Sequence, residues 1–125
     1  VAKILLVEDS PDNMKLFRTL LTLKGHEVTG LSGGEALLPT IGECRPELVL
    51  MDIQLPGKDG FALLEEIRRS PHADLRVLAL TAHVMPSDLE RALQAGFDGY
   101  ITKPIDVREF PELIVRALAG EAVSQ

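Results

Sequence analysis

Three short stretches carry only apolar side chains: Ile4-Leu5-Leu6-Val7, Leu48-Val49-Leu50-Met51 and Val77-Leu78-Ala79-Leu80. Runs this short without polar alternation predict strands covered on both faces, and so a parallel sheet. Glu27-Val28-Thr29-Gly30 and Gly99-Tyr100-Ile101-Thr102 mix polar and apolar positions and predict strands nearer an edge. Between the strands the period changes. Met14, Phe17, Leu20 and Leu21 recur at helical spacing after Ser10-Pro11, a cap followed by a first-turn proline, and Lys24-Gly25 ends the pattern. Phe61, Leu64 and Ile67 mark a second clean helix from Asp59-Gly60 to Ser70-Pro71. Leu89, Ala92 and Leu93 mark a third from Pro86-Ser87 to Ala95-Gly96.

Two helices are less regular. Leu37, Leu38 and Ile41 fit a helix from Ser32 onward, but Pro39 would interrupt its bond ladder. Phe110, Leu113, Ile114, Ala117 and Leu118 fit a last helix. Asp106 and Glu109 read as its capping box, which puts Pro111 in the second turn; otherwise the regular helix begins near Pro111. Strand and helix thus alternate five times, which predicts an α/β fold. The expected architecture is a flavodoxin-like five-stranded parallel sheet in the order 2-1-3-4-5, with five helices on both faces. Residues 1–119 are expected to form one domain and 120–125 a flexible tail.

Composition narrows the classes. The chain has 125 residues, enough for one domain, and nineteen acidic against thirteen basic residues give a formal charge of −6. Binding through nucleic-acid phosphates needs the opposite sign, so direct DNA or RNA binding is not expected. No apolar run approaches the roughly 18–20 residues of a membrane span, and no basic-then-apolar leader is read before the first strand. The single cysteine, Cys44, excludes a disulfide framework and reads as a small buried thiol. A reducing compartment, the cytoplasm, is the expectation.

In a doubly wound sheet the ligand site lies beyond the carboxyl ends of the strands, at the switch in strand order, here between strands 1 and 3. Those two ends carry Glu8-Asp9 and Asp52. Strand 4 ends at Thr81, and strand 5 runs into Lys103-Pro104. Three carboxylates converging on one crevice repel one another, and a hard divalent cation such as Mg²⁺ removes the conflict. Such a site, with an ammonium and a hydroxyl added, suits the oxygens of a phosphoryl group. A carboxylate can act as nucleophile and form an aspartyl phosphate. Asp52 is the candidate, because it ends the most buried strand and the loop at Pro56-Gly57 follows it.

These residues resemble the receiver domain of two-component response regulators over nearly the whole chain. The matching pieces are Leu6-Val7-Glu8-Asp9, Leu50 to Gly57 with Asp59-Gly60, Leu80-Thr81-Ala82 and Tyr100-Ile101-Thr102-Lys103-Pro104. The intervals are 43 residues from Asp9 to Asp52, 29 on to Thr81 and 22 on to Lys103. Within the family the motifs look most like single-domain cell-cycle regulators and the receiver modules of hybrid histidine kinases. The resemblance implies that Asp52 accepts a phosphoryl group from a histidine kinase or histidine phosphotransfer protein. It implies Mg²⁺ held by Glu8, Asp9, Asp52 and the backbone carbonyl of Gln54, with Glu8 acting through water. Lys103 would pair with the phosphoryl group, and the Lys103-Pro104 bond would be cis. Thr81 and Tyr100 would be the switch residues. A downstream protein target or output domain would then meet the face from Ser87 to Leu118, which could also serve a phosphorylation-dependent dimer. Gln54 and His83 stand two residues after the phosphoacceptor and the switch threonine, where side chains tune the phosphoryl lifetime.

The competing class is a Mg²⁺-dependent phosphatase that works through an aspartyl intermediate. It needs a second acid two residues after the nucleophile. Gln54 stands there and cannot protonate a leaving group. A flavodoxin-like nucleotide binder would need glycines or hydroxyls after strand 1, where Glu8-Asp9 stand instead.

Overall fold

The structure is a computed structural model that describes residues 2–55, 59–82, 85–121 and 123–124. The expected loop at Pro56-Gly57, together with His83 and Val84, lies outside the described residues. The elements run β1 (Lys3–Val7), α1 (Pro11–Leu23), β2 (Glu27–Leu31), α2 (Leu37–Cys44), β3 (Leu48–Asp52), α3 (Gly60–Arg68), β4 (Arg76–Thr81), α4 (Pro86–Ala95), β5 (Gly99–Thr102), α5 (Phe110–Leu118) and β6 (Val123–Ser124).

The strands pair parallel in the order β2-β1-β3-β4-β5-β6, so the expected 2-1-3-4-5 sheet is present with one short strand added beside β5. β1, β3 and β4 are flanked on both sides, and their apolar runs are buried, as unalternating sequences require. Side chains of alternate parity leave the sheet on opposite faces. Leu5, Val7, Val49, Met51, Val77 and Ala79 pack against α2, α3 and α4, and Tyr100 joins that layer half-buried. Ile4, Leu6, Leu48, Leu50, Leu78 and Ile101 pack against α1 and α5, where Phe17 and Phe110 stack with ring centroids 5.5 Å apart.

The helix ends follow local chemistry. The Ser10 side chain accepts a hydrogen bond from Asn13 N at 3.3 Å, and Asp59 accepts one from Ala62 N at 2.9 Å, which caps α1 and α3. Both awkward prolines are resolved by late helix starts. α2 begins at Leu37 rather than near Ser32, so Pro39 falls in its first turn, where no backbone donor is needed. α5 begins at Phe110, with Pro111 next; Asp106 Oδ1 accepts from Arg108 N and Glu109 N in the turn before it. The second reading of the last helix is therefore the correct one.

Within 120–125, expected as a tail, the chain reverses. Gly120 takes φ +90°, Gly120 N donates to Ala117 O and Glu121 N donates to Arg116 O, the paired bonds of a Schellman stop. The chain then pairs Val123 with Gly99 and Ser124 with Tyr100. Cys44 is half-buried rather than buried. His26 is half-buried, and both its ring nitrogens lack a hydrogen-bond partner among the described residues. At the amino-terminal edge of the sheet, Arg68 donates to the carbonyls of Ala73, Leu75 and Gly96 and to Asp98 Oδ2. It ties the end of α3 to the loops that enter β4 and β5.

Candidate functional site

The carboxyl ends of β1, β3, β4 and β5 bring the expected residues to one crevice. One oxygen from each of Glu8, Asp9 and Asp52 lies within 4.8 Å of the others. The three are not equivalent. Glu8 and Asp52 are buried, at 1% and 2% exposure, whereas Asp9 is exposed. Adjacent residues leaving a strand point to opposite sides, so Glu8 turns into the crevice and Asp9 opens toward solvent at its rim.

Lys103 reaches across from the end of β5. Its Nζ lies 2.8 Å from Asp52 Oδ2 and 3.3 Å from Glu8 Oε1. Asp52 Oδ1 accepts from Gln54 N at 2.8 Å, which fixes the carboxylate plane. Glu8 Oε2 accepts from Ser10 N at 3.1 Å, so Ser10 works twice, with its hydroxyl on α1 and its amide on the acid. The Lys103-Pro104 bond is cis, as the resemblance implied.

These contacts set the ionisation of two groups. Burial raises the Glu8 carboxyl above its ordinary value. The Ser10 amide works against this, the Asp52 charge adds to it and Lys103 lowers it again. For Lys103, burial alone would lower the ammonium, but the hydrogen bond and charge of Asp52, with Glu8 behind them, outweigh it and the pKa is raised. One ammonium against three carboxylates leaves two negative charges without an internal partner, the charge of one divalent cation. An all-oxygen donor set with one exposed member also suits a hard cation that keeps several waters. The residues present therefore fit Mg²⁺.

Thr81 is buried at the end of β4. It pairs in register with Thr102, and its carbonyl accepts from Lys103 N at 2.7 Å. Tyr100 pairs with Ala79, two residues earlier, so Thr81 and Tyr100 share the face that looks toward α4. The expected site residues are thus brought to this end of the sheet, with Tyr100 two register pairs below the Thr81–Thr102 pair.

One contributor escaped the sequence reading. A side chain at Gly60 would come within 2.6 Å of the Ile53 Cα and 3.0 Å of the Asp52 carbonyl oxygen. Gly60 N also donates to Ile53 O at 3.2 Å. This glycine lets α3 start directly against the end of β3. The signal is the Asp59-Gly60 pair, which the sequence offers as a helix start and as part of the family motif without showing the close approach.

The fold and this crevice define a phosphoacceptor module of the receiver type. Residues 4–115 match the response regulator receiver domain family, and the chain belongs to it. It is 40% identical to the polar-differentiation response regulator DivK of Brucella anthropi, over 95% of this chain and 97% of that protein. It is 38% identical to the sensor protein GacS of Pseudomonas syringae pv. syringae, over 91% of this chain but only 13% of GacS. The crystal structure of a LuxR-family two-component response regulator from an Aurantimonas species superposes with a TM-score of 0.89 at 30% identity, covering 100% of this chain and 89% of that one. The chain is a two-component phosphoacceptor domain. No helix among its described residues is long and apolar enough to cross a membrane.

Proposed function

We propose that Asp52 is the phosphoacceptor and that its donor is a histidine kinase or histidine phosphotransfer protein. The observation that carries this reading is the Lys103 ammonium 2.8 Å from Asp52 Oδ2 inside a cluster of three carboxylates. An Asp52 oxygen attacks phosphorus, and the bond from phosphorus to the donor nitrogen breaks, its electron pair staying with the imidazole. Asp9 and Asp52, with the Gln54 carbonyl and with Glu8 through water, would hold Mg²⁺, which would supply positive charge against the phosphoryl oxygens. Lys103 then exchanges its bond to Asp52 for one to a phosphoryl oxygen, and the Thr81 hydroxyl donates to another.

Only interactions that differ between the two states can shift their balance. Moving a population from 1:99 to 99:1 needs about 5.5 kcal/mol, and one hydrogen bond to a charged group contributes roughly 1.5–3. Thr81 and Lys103 must therefore act together. Tyr100 follows on their face of the sheet and carries the change to the Ser87–Leu118 surface. There a downstream target, an output domain or a phosphorylation-dependent dimer partner reads it. On this reading the module works in the cytoplasm and catalyses only its own phosphorylation and dephosphorylation.

The test is intact-mass spectrometry with acetyl phosphate and Mg²⁺. One acid-stable, hydroxylamine-labile phosphoryl group is expected on the unmodified protein and none on Asp52→Asn. Equal labelling of both would overturn the assignment. Amide shifts induced by beryllofluoride should extend into Ser87–Tyr100; changes confined to the surroundings of Asp52 would remove the proposed output face.

A further inference from the structure

The sheet edge that belongs to the proposed output face is already occupied. β5 is the strand of that face, and one of its sides pairs with β4 from Leu78↔Gly99 to Thr81↔Thr102. A strand left bare on its other side presents unpaired N–H and C=O groups, a template on which an extended segment can pair. Here the chain supplies that segment itself. β6 lies parallel on the outer side of β5, with Val123 opposite Gly99 and Ser124 opposite Tyr100. The pairing thus includes the backbone of Tyr100, the residue that on the proposed reading carries the signal outward. A partner approaching this face meets β6 where it would meet the edge of β5.

β6 is held weakly by comparison with the rest of the sheet. It spans two register pairs, whereas every other neighbouring pair of strands spans four or five. Glu121 anchors the approach to it. The Glu121 carbonyl accepts from Arg76 Nη2 at 2.9 Å, and its carboxylate lies 3.6 Å from Arg116 Nε with both side chains exposed. An ion pair so exposed adds little. Arg76 Nε is buried without a hydrogen-bond partner among the described residues, so the guanidinium is only partly satisfied. The turn before β6 is firmer. Gly120 N donates to Ala117 O and Glu121 N to Arg116 O, bonds that belong to the end of α5 and do not need β6. When the strand lifts, this turn keeps it close to β5, where it can pair again.

We propose that β6 is a built-in cover of the output face, paired with β5 in the unphosphorylated chain and released when Asp52 is phosphorylated, which bares the β5 edge to the partner. The proposal rests on the reading of Asp52 as phosphoacceptor and of Ser87–Leu118 as output face, and it adds the regulation of that face. A change at Tyr100 acts on one of only two register pairs that hold β6, so this strand yields before the inner ones. The coupling is reciprocal: if the phosphoryl group weakens β6, then β6 weakens binding of a phosphoryl mimic by the same factor.

Nuclear magnetic resonance of the full chain tests this, with Mg²⁺ and beryllofluoride as the mimic. Proton contacts between Val123 and Gly99, and between Ser124 and Tyr100, are expected in the unmodified protein and should disappear as the mimic binds. Two variants remove the cover: a chain ending at Gly120, and a full-length Val123→Pro/Ser124→Pro chain that lacks the backbone donors of β6. Each should reach half-saturation at a beryllofluoride concentration roughly three- to tenfold lower, the factor expected of one hydrogen bond. The proposal is overturned if the contacts are missing from the unmodified chain, if they persist while amide shifts spread through Ser87–Tyr100, or if either variant keeps the original half-saturation. Absence of shifts in Ser87–Tyr100 overturns the output face itself and the cover with it, so the two failures are told apart.

Discussion

Arg68 at one end of the sheet and Lys103 at the other are each tied to several partners, and the two are built differently. At the amino-terminal edge, Arg68 meets three neutral carbonyls and one carboxylate, and Asp98 Oδ2 also accepts from Val77 N at 2.8 Å. Its hydrogen bonds are directional, numerous and mutually satisfied. At the carboxyl edge, Lys103 meets two buried carboxylates, and a third waits at the rim. Its point charge is outnumbered, so that end gains by taking another cation and by releasing Lys103 to an incoming anion. The guanidinium fork fixes geometry; the ammonium on a flexible stem can change partners. One end is a clasp; under the proposed function the other is a switch.

Variants that separate the two roles sharpen this contrast. The largest effect is expected at the rim. Asp9→Ala, or chelation of Mg²⁺, should bring acetyl-phosphate labelling of Asp52 to background while leaving the thermal midpoint in metal-free buffer nearly unchanged. Labelling that persists in Asp9→Ala would detach the exposed acid from the metal. Next comes Arg68→Met, which keeps the aliphatic stem and strands several carbonyl groups. Denaturant titration should show a loss of about 2–3 kcal/mol, with the rate of Asp52 labelling in the folded protein unaltered. A change of that rate with no loss of stability would mean that the clasp belongs to the switch.

A smaller effect concerns Glu8, whose carboxyl is raised from its usual 4.5, first by burial. A raised acid holds its proton more tightly when folded. Its favourable contribution is thus complete below the unfolded value and is lost as pH rises through the folded one. Glu8→Gln should therefore stabilise the metal-free protein at neutral pH, with the gain fading as pH falls through the raised folded value and absent below 4.5. Added Mg²⁺ should stabilise the unmodified chain more than this variant. The smallest effect is alkaline. Lys103 is raised above 10.5 because Asp52 and Glu8 outweigh its burial. It should stabilise the metal-free fold below 10.5, and that contribution should vanish as pH rises through its folded value. Lys103→Met should flatten this limb of the stability curve; an unchanged slope would remove the role of the ion pairs.

The amino-acid order determined whatever depends on a few neighbouring residues. Unalternating apolar runs marked β1, β3 and β4, Ser10 and Asp59 marked helix starts, and Gly25 and Gly96, both at positive φ, marked helix ends. Strand ends rich in acid, with one threonine and one lysine, located the crevice. Tertiary structure decided what depends on distant packing. Lys103 meets Glu8 across 95 residues of sequence, and only the parallel sheet order makes them neighbours. Glu8 and Asp9 are alike as letters, yet one is buried and the other exposed, because burial is set by what covers each side of a strand end. Pro39 and Pro111 could be read as breaks or as first-turn residues, and the packing of α2 and α5 on the sheet chose where each helix begins. Gly60 shows the same limit: its missing side chain has meaning only because the end of β3 lies against it. Periodicity and capping are written in local chemistry, whereas burial and close approach are properties of the assembled layers.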